Sequence, residues 1–308
     1  MDVAITGAAG YFGQKIISLM EKDDFYNRII GISRREWRHG FKKLEYHRMD
    51  VRSKDIKNIF EGVDAIIHLA FVVSPIHSQK EMYDIDINGT KNVIRAGAEA
   101  GVKKFVITSS TMVYGAWEDN PEWLKEEDET RGHPTYYYNK HKIMVEKIAK
   151  EMLGKELVIL RPCLVVGQHV KHFYVDLLNM PFLPLVDGRN PRMQFVHEDD
   201  VVRAYDIVLK KNAKGIFNIV GEGVIRWKEL IEMAGKHAIK MPSWLIKSML
   251  KIAWKLHATK FPPEIIDFVT YEWVASGEKA KHELGFIPQY SSKETVESYL
   301  NARQRNYF

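Results

Sequence analysis

Short runs of uninterrupted apolar residues recur through the first half of the chain, and most precede a segment with helical periodicity. Val3–Thr6 leads into a helical stretch over 12–22, and Ala65–Ala70 into another over 88–101. Ile29–Ser33, Lys103–Ser110 and Glu156–Pro162 are further strand-length runs, with a helical stretch over 139–153 between the last two. A strand that is apolar at every position has to bury both of its faces, which a parallel sheet covered by helices on both sides allows. The expected fold class is therefore α/β, a doubly wound parallel sheet. After about residue 165 the pattern loosens into a smaller, mainly helical region. The expected division is a sheet domain over 1–165 and a second region over 166–308, with segments near 194–220 (MQFVH and GIFNIV) returning to the first.

The first strand ends at Thr6 and is followed by Gly7, Gly10 and Gly13 in GAAGYFG, immediately before a helix. Gly7 permits a tight turn, Gly10 lets backbone N–H groups approach an anion, and Gly13 lets the helix pack close to the strand. A pyrophosphate suits such a turn. A glycine triplet by itself also describes a plain strand-to-helix turn, but here it heads a run of βα units, as in a Rossmann-type domain.

At these residues the chain resembles the short-chain dehydrogenase/reductase family, in its extended, NAD-dependent epimerase/dehydratase-like branch. Further similarity is carried by HLA at 68–70, NGTKNV at 88–93, TSSTMVYG at 108–115, YYYNKHKIMVE at 136–146, LRPCLVVG at 161–167 and FVHEDDVVRA at 195–204. The resemblance implies a nicotinamide dinucleotide held by Gly7, Gly10, Tyr11, Phe12 and Gly13, by Asp50 and Val51 beside the adenine, and by Leu69 and Ala70 at a strand end. The second strand ends in Ser33, Arg34 and Arg35, with no carboxylate for ribose hydroxyls and two cations suited to a 2′-phosphate. NADP is the favoured cofactor and NAD the alternative.

Hydride transfer at a carbinol carbon needs a group that takes the hydroxyl proton, and a tyrosine does so when nearby positive charge lowers its pKa. Two Tyr/Lys pairs have the required spacing of four, Tyr138 with Lys142 and Tyr136 with Lys140. Glu146, four residues after Lys142, matches the family pattern and favours the first pair. The resemblance then makes Tyr138 the proton donor or acceptor, Lys142 its pKa-lowering partner and ribose contact, and Ser110 the hydrogen-bond partner of the reacting oxygen. Ser109 is expected to be tied to backbone. Asp86 stands where the superfamily often has an active-site Asn, and Asn88 is expected to cap a helix or sit in a loop.

Thr111 and Met112 replace the acidic pair of sugar-nucleotide dehydratases, which disfavours elimination of water. Leu164 and Met193 stand where nucleotide-sugar epimerases carry an Asn and an Arg, with Arg192 one residue early. The expected activity is NAD(P)-dependent oxidoreduction of a secondary alcohol or ketone. The alternatives are a nucleotide-sugar epimerase with retained NAD and a non-catalytic dinucleotide-binding sensor. His197, Asp199 and Asp200 read as a helix entry, with no metal site expected. Trp117 and Trp123 either face substrate or anchor their loop.

The formal charge of +5 and the pI near 8.9 come from Lys and Arg placed along the whole chain, so no nucleic-acid partner is expected. Cys163, the one cysteine, lies in an apolar run and reads as a small buried hydrophobe. No apolar stretch approaches the ~20 residues of a membrane span, and no basic leader precedes the first strand, so a cytoplasmic protein is expected; the family resemblance implies a homodimer. Around 242–257, Trp244, Leu245, Met249, Ile252, Ala253 and Leu256 share one helical face, with Lys247, Lys251 and Lys255 elsewhere. That helix either packs in the core or a dimer, covers an apolar substrate, or makes peripheral contact with a membrane.

Overall fold

Alternation along each strand sends successive side chains to opposite faces of the sheet, and the chain fills both faces with apolar residues. In the computed structural model, which describes residues 1–305 other than 75, 77, 171–176 and 260, seven parallel strands form one sheet. They are β1 (Asp2–Thr6), β2 (Arg28–Ser33), β3 (Leu44–Arg48), β4 (Ala65–His68), β5 (Lys104–Thr108), β6 (Leu157–Pro162) and β11 (Gly215–Ile219), in the order β11-β6-β5-β4-β1-β2-β3. Val3 and Ile5 of β1, Ile67 of β4 and Val106 of β5 face one core with helix α1 (Tyr11–Met20) and helix α6 (Glu198–Lys210). Ala4 and Ile66 face the other, against helix α4 (Gly89–Glu99), while Ile107 and Ile159 meet helix α5 (Tyr137–Leu153). Short helices α2 (Ile56–Ile59) and α3 (Gln79–Tyr83) complete this half. The strand order reverses between β1 and β4, and ligands of open α/β sheets bind outside the carboxyl ends of the strands at such a point.

Between α3 and α4 the chain makes one π-helical turn, Asp84–Asn88. Asn88 ends that turn, and its side chain donates to Asp84 Oδ1 at 2.8 Å instead of capping α4.

The C-terminal part, expected to be mainly helical, also holds three two-stranded ribbons among the described residues. β7 (Leu164–Val166) pairs in parallel with β10 (Phe195–His197), and β9 (Arg192–Met193) pairs antiparallel with β12 (Ile225–Arg226). β8 (Phe182–Val186) pairs in parallel with β13 (His237–Met241). Thus MQFVH joins β7 in a two-stranded sheet, whereas GIFNIV supplies β11 beside β6 in the large one. Strands of two to five residues carry too few alternations to be read from pattern. Helices α7 (Trp227–Met233), α8 (Ser243–Lys255), α9 (Glu278–Leu284) and α10 (Ser292–Arg305) surround these ribbons, and a second core forms around Leu183, Trp227, Ile231, Ile266 and Val296.

Candidate active site

The glycine turn folds as its spacing requires. Gly7 has φ +76°, and a Cβ there would come within 3.0 Å of the Ala70 nitrogen, so β1 and β4 approach through bare backbone. A Cβ on Gly13 would stand 2.5 Å from the Ala8 carbonyl oxygen and prevent α1 from seating on the turn. The Gly10 N–H closes the turn on the Gly7 carbonyl at 2.8 Å. Helix α1 begins with no side-chain cap and no acidic residue in its first turn. Its first amide groups therefore suit an anion, and the turn fits a dinucleotide pyrophosphate. The Tyr11 hydroxyl is buried beside it with no hydrogen-bond partner among the described residues.

At the end of β4, His68 is fully enclosed, its Nδ1 2.7 Å from Thr6 Oγ1 and its Nε2 2.9 Å from Thr90 Oγ1. Burial, and secondarily the Lys142 charge, pull its pKa down to about 3, so it is neutral and ties β1, β4 and α4 together. Leu69 and Ala70 follow it against Gly7.

Asp50 has more partners within the chain than the sequence suggests. Asp50 is gripped bidentately by Arg52 at 2.7 and 2.9 Å, and Arg34 lies 3.9 Å away. Its carboxylate is largely spent within the protein, and the Val51 carbonyl accepts from Asn92 at 2.8 Å. Ser33, Arg34 and Arg35 sit at the end of β2. Arg34 is half exposed, and no ion pair engages Arg35 among the described residues.

Ser110, Tyr138 and Lys142 converge where β5 ends and α5 begins, and all three are buried. Tyr138 is hydrogen-bonded to Ser110. Ser110 Oγ also accepts the Met112 N–H at 3.2 Å, capping the short 3-10 turn Thr111–Tyr114. Lys142 donates to the Thr108 carbonyl at 2.7 Å and lies 3.8 Å from the centre of the Phe71 ring. In the competing register, Tyr136 is buried against Phe268 and Lys140 is exposed.

Burial, more than any neighbouring charge, sets the Tyr138 pKa. Burial pushes the phenol up to about 12, against the Ser110 hydrogen bond, while the Lys142 ammonium is 5.8 Å from the ring centre and turned to a backbone carbonyl. Desolvation in turn pulls Lys142 down to about 8, opposed by Asp86 and Glu146. At pH 7 Tyr138 is a neutral donor and Lys142 is mostly charged.

Two buried carboxylates support this cluster. Glu146 would be raised by burial, but the Arg161 guanidinium at 2.6 and 2.8 Å holds it below the usual range. Ser109 donates to the same carboxylate at 2.6 Å, so its side chain is tied to Glu146 and not to backbone. Asp86 accepts the Val72 N–H and is paired with His141 Nδ1, both at 2.8 Å. Sequence reasoning left Asp86 without a role and missed His141; their spacing of fifty-five residues carries no local signal.

Trp117 stacks on His133 with ring centres 4.5 Å apart, His133 meets Phe268, and Phe268 in turn meets Tyr136. Trp117 Nε1, His133 Nε2 and Thr111 Oγ1 are buried without hydrogen-bond partners among the described residues. Trp123 is exposed, with the Arg192 guanidinium 5.1 Å from its ring centre.

The sequence model of the NAD dependent epimerase/dehydratase family matches residues 3–220, more than half of the chain. The chain belongs to that family. An uncharacterised protein, y4nG, of Sinorhizobium fredii is 27% identical over 98% of this chain and 78% of its own length. The N-acetyl-alpha-D-glucosaminyl-diphospho-ditrans,octacis-undecaprenol 4-epimerase of Escherichia coli O157:H7 is 26% identical over 75% of this chain and 70% of its own. The solved UDP-glucuronic acid 4-epimerase of Bacillus cereus, in complex with NAD, superposes with a TM-score of 0.76 at 18% identity over all of both chains. The fold is thus that of the family.

Positions where this chain departs from the epimerase pattern are also built in. Leu164 lies in β7, half-buried against both cores, and Met193 is buried. Arg192 is held by Glu272 at 2.6 Å. His197 caps α6 by accepting the Asp199 N–H, and Asp200 accepts the N–H groups of Gln289 and Tyr290. Cys163 is enclosed, and burial raises its thiol to about 12. No helix among the described residues is long and apolar enough to cross a membrane.

Proposed function

We propose that the protein is an NAD-linked epimerase acting at a secondary carbinol of a diphosphate-linked sugar, with nucleotide sugars as the first class to test. The observation that carries this reading is the buried cluster of Ser110, Tyr138 and Lys142 at the carboxyl edge of the sheet, in a member of this family. When bound, the nicotinamide supplies acceptance and return of hydride at the reacting carbon. Gly7, Gly10, Gly13 and the backbone of Tyr11 and Phe12 would hold the dinucleotide, Leu69 and Ala70 would border it, and Lys142 would contact its ribose. Ser110 hydrogen-bonds the reacting oxygen, and Tyr138 Oη takes up the hydroxyl proton and returns it. The first of these transfers needs the phenolate, and the Lys142 ammonium, 5.8 Å from the Tyr138 ring centre, favours it only once it turns from the Thr108 carbonyl toward Tyr138. Thr111 and Met112 offer no carboxylate for loss of water, which argues against dehydration. The same reading includes a homodimer paired through α5.

A second reading, reduction of a ketone with exchangeable NADPH, is favoured by one feature, the pair of cations Arg34 and Arg35 with no carboxylate at the end of β2. Mass spectrometry of nucleotide released from the purified protein separates the two. Retained NAD with sugar epimerisation in the absence of added cofactor supports the epimerase; empty protein that needs NADPH and reduces ketones replaces it. In either case Tyr138→Phe should lower kcat by about 10²–10⁴-fold, with cofactor affinity unchanged in a titration. A variant of wild-type activity would remove Tyr138 from the reaction.

A further inference from the structure

The chain's formal charge of +5 is not evenly distributed, although its Lys and Arg residues are. From Met233 to Pro263 there are six lysines and no acidic residue, and the remainder of the chain balances to within one charge. Helix α8 lies within this segment, and only Ile246 of its thirteen residues is buried. Core packing therefore does not account for its apolar face. Trp244 is 68% exposed, Met249 56%, Ile252 62% and Leu256 72%. At 100° per residue, Met249, Ile252 and Leu256 form one outward stripe in line with the partly buried Leu245, with Trp244, Lys251 and Lys255 along its border. The β8–β13 ribbon that leads into α8 through Pro242 exposes Phe182 and Ile239, with Lys240 next to them.

Aromatic and aliphatic side chains on an outward face, edged by lysines, match what a helix lying in a lipid interface presents. Lys247 is taken by Asp267 at 2.7 Å, but no ion pair engages Lys240, Lys251 or Lys255 among the described residues. These charges remain available to anionic headgroups. A protein partner with the same footprint would need an acidic rim around an apolar centre; a bilayer of anionic phospholipid has both by construction.

We propose that α8 and the β8–β13 ribbon form a peripheral docking surface for an anionic phospholipid membrane. The surface is linked to the candidate active site through one segment. Pro263–Val269 packs beneath both α8 and β8, and its Phe268 touches Tyr136 and His133 beside the Ser110–Tyr138 pair. Docking through this face sets the substrate side of the site next to the membrane, so a sugar diphosphate carried on a lipid anchor becomes accessible. That last consequence rests on the epimerase reading, whereas the docking itself does not.

The test is flotation of the full chain, with no cofactor or substrate added, on vesicles of phosphatidylcholine alone and of phosphatidylcholine mixed with phosphatidylglycerol. The expected result is flotation with the anionic vesicles only, lost at high salt, and weakened about five-fold for each of Lys251→Ala and Lys255→Ala. The double variant Ile252→Glu, Leu256→Glu should stay at the bottom of the gradient with its thermal unfolding midpoint unchanged. Wild-type protein that ignores both vesicles, or floats equally with both, overturns the proposal. So does sedimentation showing a dimer that the same double variant splits, because the face would then belong to a second copy. Each outcome leaves the assignment of Tyr138 untouched, since no turnover is measured.

Discussion

The sheet half of the molecule and the region around α8 treat apolar side chains in opposite ways. In the first, every residue of β4 is buried, and the carboxylates and cations drawn inward with the strands are matched: Glu146 with Arg161 and Ser109, Asp86 with His141 and the Val72 amide. In the second, a tryptophan, a methionine, an isoleucine and a leucine stand in solvent on one helix, among lysines with no acid nearby in sequence. A buried charge without a partner destabilises its fold, so the first region has to be complete within the chain. Exposed apolar groups cost the folded state little, and α8 can keep a face whose partner lies outside the chain.

The contrast can be broken most forcefully at Glu146. Glu146→Ala leaves the Arg161 guanidinium buried without its partner and should remove about 3–5 kcal/mol of stability in denaturant titrations. A loss below ~1 kcal/mol would mean that water reaches Arg161. Next in size is a pair of truncations. Ile67→Ala, in the centre of the sheet, should cost about 2–5 kcal/mol, while Ile252→Ala on α8 should stay within ~0.5 kcal/mol of wild type. Similar values at both sites would erase the distinction between the regions. A subtler effect is expected from Lys142. Its folded-state pKa of about 8 lies below the ordinary 10.5, so the unfolded chain binds more protons between these values. Stability should therefore gain a contribution as pH rises through this window. Comparing unfolding free energies of wild type and Lys142→Met from pH 7 to 10.5 isolates it; a difference that does not change with pH would place the ammonium in contact with water.

Much of the sheet half was legible in the chain because its signals are local. Gly7, Gly10 and Gly13 lie within seven residues of one another, and the apolar runs that become β1, β4, β5 and β6 mark themselves by composition. Tyr138 and Lys142 are one helical turn apart, with Glu146 a further turn on, and all three are buried on α5. What escaped depends on residues far apart in sequence. Ser109 reaches Glu146 across thirty-seven residues, and Asp86 is turned inward by a π-helical turn that leaves no pattern in DINGT. Arg52, two residues from Asp50, takes the carboxylate that a simple motif reading assigns to adenine.

The order of apolar runs and helices, the glycine turn and the Tyr/Lys spacing were determined by sequence alone, because periodicity and backbone sterics act over a few residues. The tertiary structure decided the electrostatics. Whether Tyr138 is raised or lowered, whether Lys142 is desolvated, and whether the apolar face of α8 is covered all depend on which distant groups arrive beside them, and only the packed chain brings those groups within a few ångströms.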